Sequence, residues 1–288
     1  MNNSKRIFIT GASSGFGYET VKALAQKGHT IYATMRDISG KNAEKARELE
    51  NWAKEENYTV HVLEVDVTDE TSINKAVSVA VEKGGIDVLI NNAGIGTWGI
   101  DEGYTTEQAE QVFDVNLFGM MRMNRTIVPH FRKSGKGLII YISSGLGRIV
   151  LPFTGIYTAS KFAVEGYAET VSYELASLGI QSVIIEPGAF GTPFMTHSMQ
   201  PKNNVTNTYG PTAKMFQAFS GGFEERAKAG GLGNPAEVVN ALVEEVERVS
   251  ATRQLRRTLG QDVLLPVSTI NRTCDEVQNQ LLTNFGLK

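Results

Sequence analysis

The stretch Ile7-Phe8-Ile9-Thr10-Gly11-Ala12-Ser13-Ser14-Gly15-Phe16-Gly17 decides the fold of this chain. It begins with apolar, β-forming residues, turns on glycines and runs into a helical pattern from Tyr18 to Gln26. Glycines let the backbone turn tightly and approach a pyrophosphate, and the N-terminus of the next helix offers unpaired N–H groups. The order of strand, glycine turn and helix therefore predicts a dinucleotide site.

Short apolar runs recur along the chain and alternate with amphipathic, helix-length segments. Strands separated in this way imply right-handed crossovers and a parallel sheet. We therefore predict an α/β protein with a doubly wound Rossmann fold, in which a seven-stranded, mostly parallel sheet has helices on both faces. The predicted strands are Arg6–Thr10, Thr30–Thr34, Thr59–Val65, Val88–Ile90, Leu138–Ile142, Ser182–Glu186 and, after a helix at Pro235–Val249, Leu255–Leu259; a last helix is predicted at Ser268–Leu282.

Composition limits the classes of protein to which the chain can belong. Its 288 residues carry 28 basic and 31 acidic side chains, a net charge of −3 without a basic tract, which disfavours a nucleic-acid partner. The single cysteine, Cys274, excludes an internal disulfide and predicts no metal site. We expect a cytoplasmic protein with no membrane association, because no apolar run reaches spanning length.

Residues 1–288 are expected to form one domain, with two additions to the sheet. The segment at about 190–233 is rich in glycine, proline and aromatic residues and follows a predicted strand. Ligands of open α/β sheets bind beyond the carboxyl ends of the strands, so this segment is interpreted as a substrate lid, with a plain flexible loop as the alternative. A C-terminal extension occupies about 250–288.

The end of the second predicted strand bears on which dinucleotide binds. Arg36 offers a charge-assisted partner for a 2′-phosphate, and Ser13 in the glycine loop adds a hydroxyl donor. These residues favour NADP(H), while NAD(H) stays the alternative. The neighbouring Asp37 leaves two interpretations open, a ribose-binding carboxylate or a cap of the next helix.

Tyr157 and Lys161 lie one helical turn apart in Tyr157-Thr158-Ala159-Ser160-Lys161. Residues at i and i+4 share a helix face, so the ammonium is expected to lower the pKa of the phenol from its usual value near ~10. Such a phenol is a usable general acid and base. A solvated helix face carries the same spacing, so the pair requires other motifs to support it.

Those motifs are present, and with them the chain resembles the short-chain dehydrogenase/reductase family. The glycine spacing of Thr10–Gly17, the Asn91-Asn92-Ala93-Gly94 stretch and Pro187-Gly188 match that family in order. The text around Ser144 and Tyr157 is similar to its hydroxysteroid and retinol dehydrogenase branch. The resemblance covers roughly Lys5 to Thr192.

The resemblance implies roles for individual residues. Ser144 would stabilise the carbonyl oxygen, Tyr157 would transfer the proton, Lys161 would bind the nicotinamide ribose, and Asn116 would hold a water that links Lys161 to solvent. For Asp66, capping of the helix that starts near Asp69 is the alternative to contacting adenine. The implied cofactor-binding residues are Gly11, Ser13, Ser14, Gly15, Phe16, Gly17, Arg36, Asp66, Val67, Asn92, Ala93, Gly94, Tyr157, Lys161, Pro187, Gly188 and Thr192.

The expected activity is NADP(H)-dependent reduction of a ketone or aldehyde, or oxidation of the corresponding alcohol. The alternatives are a non-catalytic NADP(H)-binding sensor or scaffold and a nucleotide-sugar epimerase or dehydratase. Family members commonly associate through helices, here about Thr106–Phe131 and Tyr157–Leu178, which predicts a homodimer or homotetramer. A small hydrophobic substrate is expected, contacted by Ser144 and by the apolar residues Leu146, Ile95, Trp98, Phe153, Phe190, Phe194 and Met195.

Overall fold

The computed structural model describes residues 4–249 and 252–287, and a parallel sheet of seven strands forms its centre. The strands are β1 (Arg6–Ile9), β2 (Thr30–Met35), β3 (Val60–Glu64), β4 (Val88–Asn91), β5 (Gly137–Ile142), β6 (Ile180–Pro187) and β7 (Arg256–Leu259). Their spatial order is β3-β2-β1-β4-β5-β6-β7, and each neighbouring pair is parallel. The predicted sheet is confirmed, including its seventh strand.

Helices cover both faces of the sheet, as the doubly wound prediction requires. Side chains alternate across β1, so that Ile7 and Ile9 pack with one helix layer while Phe8 packs with the other. The helices are α1 (Gly15–Gln26), α2 (Ala43–Glu55), α3 (Glu70–Glu82), α4 (Thr106–Phe113), α5 (Gly119–Ser134), α6 (Gly155–Ala176), α7 (Pro211–Lys228), α8 (Pro235–Glu247) and α9 (Gln261–Asn284). The first layer contains α1, α2 and α8, and the second contains α3, α5 and α6.

The strand order creates a crevice at one position. β1 lies between β2 and β4, so the crossovers leave β1 in opposite directions and the loops after β1 and β4 diverge from each other. Ile9 of β1 is paired with Ile90 of β4, which brings Thr10 and Asn91 to the same edge. The glycine loop and the Asn-Asn-Ala-Gly stretch are therefore neighbours at the place where open α/β sheets bind ligands.

Three predicted segments differ from the structure. The segment expected to be helical from Thr106 to Phe131 is divided by a π-type turn at Asp114–Phe118. The lid segment, which showed no periodicity, contains the 18-residue helix α7. Helix α9 starts before its predicted first residue, Ser268, and continues through Pro266, whose missing N–H would usually mark a boundary.

Within the described residues, no helix combines the length and the apolar character needed to cross a bilayer.

Candidate active site

The glycine loop presents the N-terminus of α1 to the crevice. Ser14 occupies the N-cap position, but its hydroxyl makes no capping bond, and the first turn has no acidic side chain. A Cβ on Gly17 would lie 2.4 Å from the carbonyl oxygen of Gly11, so only glycine allows the helix to start this close to the loop. The unpaired N–H groups of this turn are thus available to an anion.

The Asn-Asn-Ala-Gly stretch fastens the glycine loop to β4. The Asn92 Nδ2 donates to the carbonyl oxygens of Thr10, at 2.8 Å, and Gly11, at 3.0 Å. The Thr10 hydroxyl accepts hydrogen bonds from the backbone N–H groups of Asn92 and Ala93, each at 3.0 Å. The side chain of Asn92 therefore fixes the shape of the loop rather than projecting freely into the crevice.

Arg36 and Asp37, in the turn after β2, differ in their contacts. The Asp37 carboxylate accepts a hydrogen bond from the Lys41 backbone N–H at 2.7 Å, and the N-cap of α2 is Asn42. Helix capping, one of the two interpretations of Asp37, is therefore wrong. Arg36 is exposed, and its guanidinium makes no hydrogen bond or ion pair with any residue in 4–249 or 252–287.

Asp66 closes the turn after β3. Its carboxylate accepts from the Thr68 backbone N–H at 2.9 Å and from the Thr68 hydroxyl at 2.7 Å. The cap of α3 is Asp69, which accepts from the Thr71 N–H, so the capping alternative for Asp66 is wrong. Val67 is buried and packs near Gly119 of α5.

Asn116 lies in the π-type turn and is fully buried. Its Oδ1 accepts from the Ile95 N–H at 2.8 Å, and its Nδ2 donates to the Ile95 carbonyl oxygen at 2.9 Å and to the Ser160 hydroxyl at 3.0 Å. A Cβ added to Gly94 would lie 3.3 Å from Asn116 Oδ1 and 3.8 Å from Lys161 Nζ. Single π turns are frequent at functional sites, and this one brings Asn116 to the beginning of α6.

Tyr157 and Lys161 project from the first turns of α6, and both are buried. The Lys161 Nζ lies 5.6 Å from the centre of the Tyr157 ring and donates to the Ile142 carbonyl oxygen at 2.9 Å. Burial raises the pKa of Tyr157 to about 12, against a hydrogen bond with Ser144 that lowers it. Burial also lowers the pKa of Lys161 to about 8, against the opposing charge of Glu165. The predicted lowering of the Tyr157 pKa by Lys161 is therefore wrong for this arrangement, because desolvation of the phenol dominates.

Ser144 and Pro187 meet at the ends of β5 and β6. The Ser144 hydroxyl donates to the Pro187 carbonyl oxygen at 3.5 Å and accepts from the Leu146 N–H at 3.1 Å. The next residue, Gly188, donates its N–H to Leu259 at 2.8 Å. Thr192 lies against the glycine loop, 3.7 Å from the position of a Cβ on Gly15. Thr192, which is expected at the nicotinamide, thus lies next to the loop that is expected to bind the pyrophosphate.

Aromatic side chains of the segment at about 190–233 contact residues of the predicted site. The ring of Phe194 lies 5.7 Å from the ring of Tyr157. Trp98 stacks on Phe219 of α7 at 5.1 Å, and Phe153 lies 5.0 Å from Phe216 of the same helix. An apolar wall therefore stands beside the buried phenol.

The other predicted substrate residues divide into two groups. Ile95, Leu146 and Met195 are half-buried, and the backbone N–H groups of Ile95 and Leu146 bond to Asn116 and Ser144. Phe190 is only 5% exposed and packs edge-to-face on Phe16 at 5.8 Å, beneath the glycine loop. Phe190 thus supports the glycine loop, and its contact with a substrate stays a prediction.

Residues 5–203 match the short chain dehydrogenase family. The match covers β1 to β6 and the site residues described above as far as residue 203. The chain belongs to the short-chain dehydrogenase family. This assignment makes it a member of a family of oxidoreductases.

Curated relatives agree with the family assignment. This short-chain dehydrogenase is 42% identical over 189 residues to the 3-ketodihydrosphingosine reductase of Bacteroides thetaiotaomicron, covering 65% of each chain. It is 35% identical over 193 residues to retinol dehydrogenase 8 of Homo sapiens, covering 66% of this chain and 60% of the relative. The chain thus spans slightly less than two thirds of these relatives.

A solved structure extends the similarity across the whole chain. A short-chain dehydrogenase from Streptomyces avermitilis has 29% sequence identity and a TM-score of 0.76, and the match covers 99% of this chain and 97% of that one.

Sequence analysis missed the contribution of α7 to this short-chain dehydrogenase. Phe216, Phe219 and Phe223 contribute the aromatic contacts of that helix with Trp98 and Phe153. Their spacing of three and four residues is a helical signal. Glycines at 221 and 222 within the same segment obscured it.

Proposed function

We propose that the protein is an NADP(H)-dependent oxidoreductase that reduces a ketone or aldehyde, or oxidises the corresponding alcohol. The observation that carries the proposal is the convergence of Ser144, Tyr157, Lys161 and Asn116 beside an uncapped helix N-terminus at the switch point of the sheet. An anion-binding end and a proton-donating end in one crevice suit a nucleotide cofactor and a carbonyl.

The residues present fit a nicotinamide dinucleotide phosphate. Gly17 lets α1 start directly against the glycine loop, and residues 13–17 would hold the pyrophosphate with backbone N–H groups. Arg36, with its guanidinium unengaged in the described structure, would bind the 2′-phosphate. Lys161 would bind the ribose, and Pro187, Gly188 and Thr192 would line the nicotinamide. When bound, the cofactor would supply or accept the hydride.

Proton transfer is assigned to the phenol. With a pKa raised to about 12, Tyr157 stays protonated at neutral pH, which is the state that a general acid requires. In reduction the proton would leave the Tyr157 hydroxyl for the carbonyl oxygen, while the Ser144 hydroxyl donates a hydrogen bond to the same oxygen as charge develops. In oxidation the phenolate would accept the proton from the alcohol.

Asn116 and Lys161 are assigned to support the phenol. Asn116 ties the Ile95 backbone to Ser160, which fixes the first turns of α6 and thereby the direction of both catalytic side chains. The Lys161 ammonium would stabilise the phenolate that forms as the proton leaves. A water between these two residues, as in the family, would return the proton from solvent.

The substrate is assigned to the apolar carbonyl class. Phe194 lies beside the ring of Tyr157, and Trp98 and Phe153 pack on phenylalanines of α7. Such a surface favours a substrate with hydrophobic bulk beside the reacting carbon. The names of the two curated relatives, 3-ketodihydrosphingosine reductase and retinol dehydrogenase 8, are compatible with this class.

Self-association and location complete the proposal. Phe118 and Met121 are 44% and 38% exposed near the start of α5, and Phe162 on α6 is 44% exposed. Exposed apolar groups on these helices support a homodimer or homotetramer that buries them. The cytoplasm, where NADPH is available, is the proposed location.

Oxidation of NADPH in the presence of a panel of carbonyl compounds tests the function. A reductase consumes NADPH only when an apolar ketone or aldehyde is added, which is followed by loss of the absorbance of the reduced nicotinamide. Binding of NADPH without consumption on any carbonyl would indicate the sensor or scaffold alternative. Conversion of a nucleotide sugar without net NADPH loss would indicate the epimerase alternative.

A further inference from the structure

The lid is fastened to the rest of the protein on both sides of Phe194. At its start, the Gly191 N–H donates to the Gly233 carbonyl oxygen at 3.0 Å, and the Gly233 N–H donates to Ala189 at 2.9 Å. Further along, the Met199 N–H donates to the Gly96 carbonyl oxygen at 2.8 Å. Residues 192–197, which include Phe194, therefore lie between two fixed points.

The second fixed point is built around one hydroxyl. The Tyr104 Oη donates to the Met199 carbonyl oxygen and accepts from the Trp98 N–H, both at 2.8 Å. Gln108, in the first turn of α4, adds a clamp: its Nε2 donates to the Gln200 carbonyl oxygen at 2.9 Å, and its Oε1 accepts from the Lys202 N–H at 3.1 Å. The lid is thus joined to the segment that follows β4.

The same segment is joined to the catalytic helix. Thr97 is 3% exposed, and its hydroxyl accepts a hydrogen bond from the backbone N–H of Tyr157 at 3.2 Å. A bridge pairs Thr97 with Met199. The Tyr104 hydroxyl consequently connects the segment that carries Phe194 with the segment that is bonded to the Tyr157 backbone.

We propose that Tyr104 is a positioning residue whose hydroxyl holds the lid closed, with Phe194 over Tyr157, when substrate binds. The inference rests on the proposed function for its kinetic consequence, although the hydrogen bonds themselves do not depend on it. The Tyr104 hydroxyl also makes a side-chain hydrogen bond with Thr97. It makes no direct hydrogen bond to Tyr157 or to the glycine loop in the described structure, so it acts through Met199, Trp98 and Thr97.

Substitution Tyr104→Phe tests the proposal, because it removes the hydroxyl and keeps the ring. Release of the lid is expected to raise KM for a bulky apolar ketone by about 3- to 10-fold, the equilibrium equivalent of one neutral hydrogen bond. The kcat and the dissociation constant of NADPH are expected to match those of the wild type, since the catalytic groups and the glycine loop are untouched.

Tyr209→Phe is the matched control. Tyr209 lies in the lid, and its hydroxyl also bonds to the segment that follows β4, but its partner is the exposed Glu102 side chain rather than the lid backbone next to Phe194. This variant is expected to leave KM and kcat unchanged. An equal rise in KM in both variants would overturn the assignment to the Tyr104 hydroxyl.

Hydrogen exchange gives a measurement that does not depend on activity. In Tyr104→Phe the Met199 and Trp98 amides are expected to exchange faster, while the amides of β1 and β4 keep their protection. Unchanged exchange at Met199, or a fall in kcat with unchanged KM, would overturn the proposal. If the wild type consumes no NADPH with any carbonyl, the proposed function fails, and exchange at Met199 still decides whether Tyr104 holds the lid.

Discussion

At the scale of single residues, the two titratable groups of the site are shifted by burial in the directions that disfavour charge. The pKa of Tyr157 is raised to about 12 and that of Lys161 is lowered to about 8. Both groups lie where the protein excludes water, and Glu165, one turn further along α6, supports the charged lysine. Burial thereby keeps the Tyr157 phenol protonated at neutral pH, and it keeps the Lys161 ammonium near its own titration point.

Arg36 provides the residue-scale prediction on cofactor choice. Arg36→Ala removes a charge-assisted partner of the 2′-phosphate, so the dissociation constant of NADPH is expected to rise by about 10- to 100-fold, while that of NADH stays the same. Fluorescence titration with both nucleotides measures the two constants. A similar loss for both nucleotides would show that Arg36 supports the turn rather than selecting the phosphate.

At the scale of elements, the close start of α1 against the glycine loop depends on Gly17. A Cβ at this position would lie 2.4 Å from Gly11 O and 2.5 Å from Asn92 Nδ2. We expect Gly17→Ala to cost about 1–3 kcal/mol in the free energy of unfolding through overpacking, and to weaken NADPH binding. Chemical denaturation and nucleotide titration measure the two effects.

Gly166 offers a control for that substitution, since it also lies inside a helix. A Cβ on Gly166 would meet no atom within 4 Å. Gly166→Ala is therefore expected to raise the free energy of unfolding by up to about 1 kcal/mol through helix propensity. If Gly17→Ala instead behaved like Gly166→Ala, the close contact between α1 and the loop would be contradicted.

Local patterns predicted some elements well and others poorly. Apolar strand runs such as Val183-Ile184-Ile185 lie in strands buried on both faces, so their pattern is strong. The π-type turn around Asn116 is set by the two hydrogen bonds to Ile95, a contact between distant segments that no local pattern contains. Helix α7 is mostly exposed, so its amphipathic signal is weak.

At the scale of the whole molecule, a buried charge network joins the C-terminal part to α6, the helix that carries Tyr157 and Lys161. Arg256 of β7 is 5% exposed and pairs with Glu165 at 2.9 Å and with Glu169 at 2.5 Å. Glu186, which is fully buried, lies 3.7 Å from the same guanidinium. Because Glu186 precedes Pro187 on β6, the network ties both sides of the site to the last strand.

Removal of Arg256 tests that connection. Arg256→Met is expected to cost about 3–5 kcal/mol in the free energy of unfolding at neutral pH, because Glu165 and Glu186 lose their buried countercharge. Folding raises the pKa of Glu186 from 4.5 to about 7, so this carboxyl destabilises the fold increasingly as pH rises between those values. The cost of the substitution should therefore shrink as pH falls from 7 to 4.5. Denaturation of Arg125→Met, which breaks an exposed pair with Glu70, is expected to show about 0–1 kcal/mol.

The sequence predicted the arrangement of strands and helices more fully than it predicted the side chains that surround the site. The order of strands and helices, with Thr10–Gly17 after the first strand, was sufficient to predict the sheet and the place of the crevice. The ion pairs of Arg256 and the contacts of Tyr104 join residues far apart in the chain, and their formation depends on the assembled sheet. The packing of Phe190 on Phe16 depends on the folded glycine loop for the same reason.

The central claim is that Tyr157 transfers the proton to a carbonyl, and Tyr157→Phe tests it most directly. With an apolar ketone and NADPH, kcat is expected to fall by at least about 100-fold, the usual scale of general acid catalysis, while NADPH binds as in the wild type. Tyr173→Phe, on an exposed turn of the same helix, should retain full turnover. Near-normal turnover by Tyr157→Phe would contradict the account.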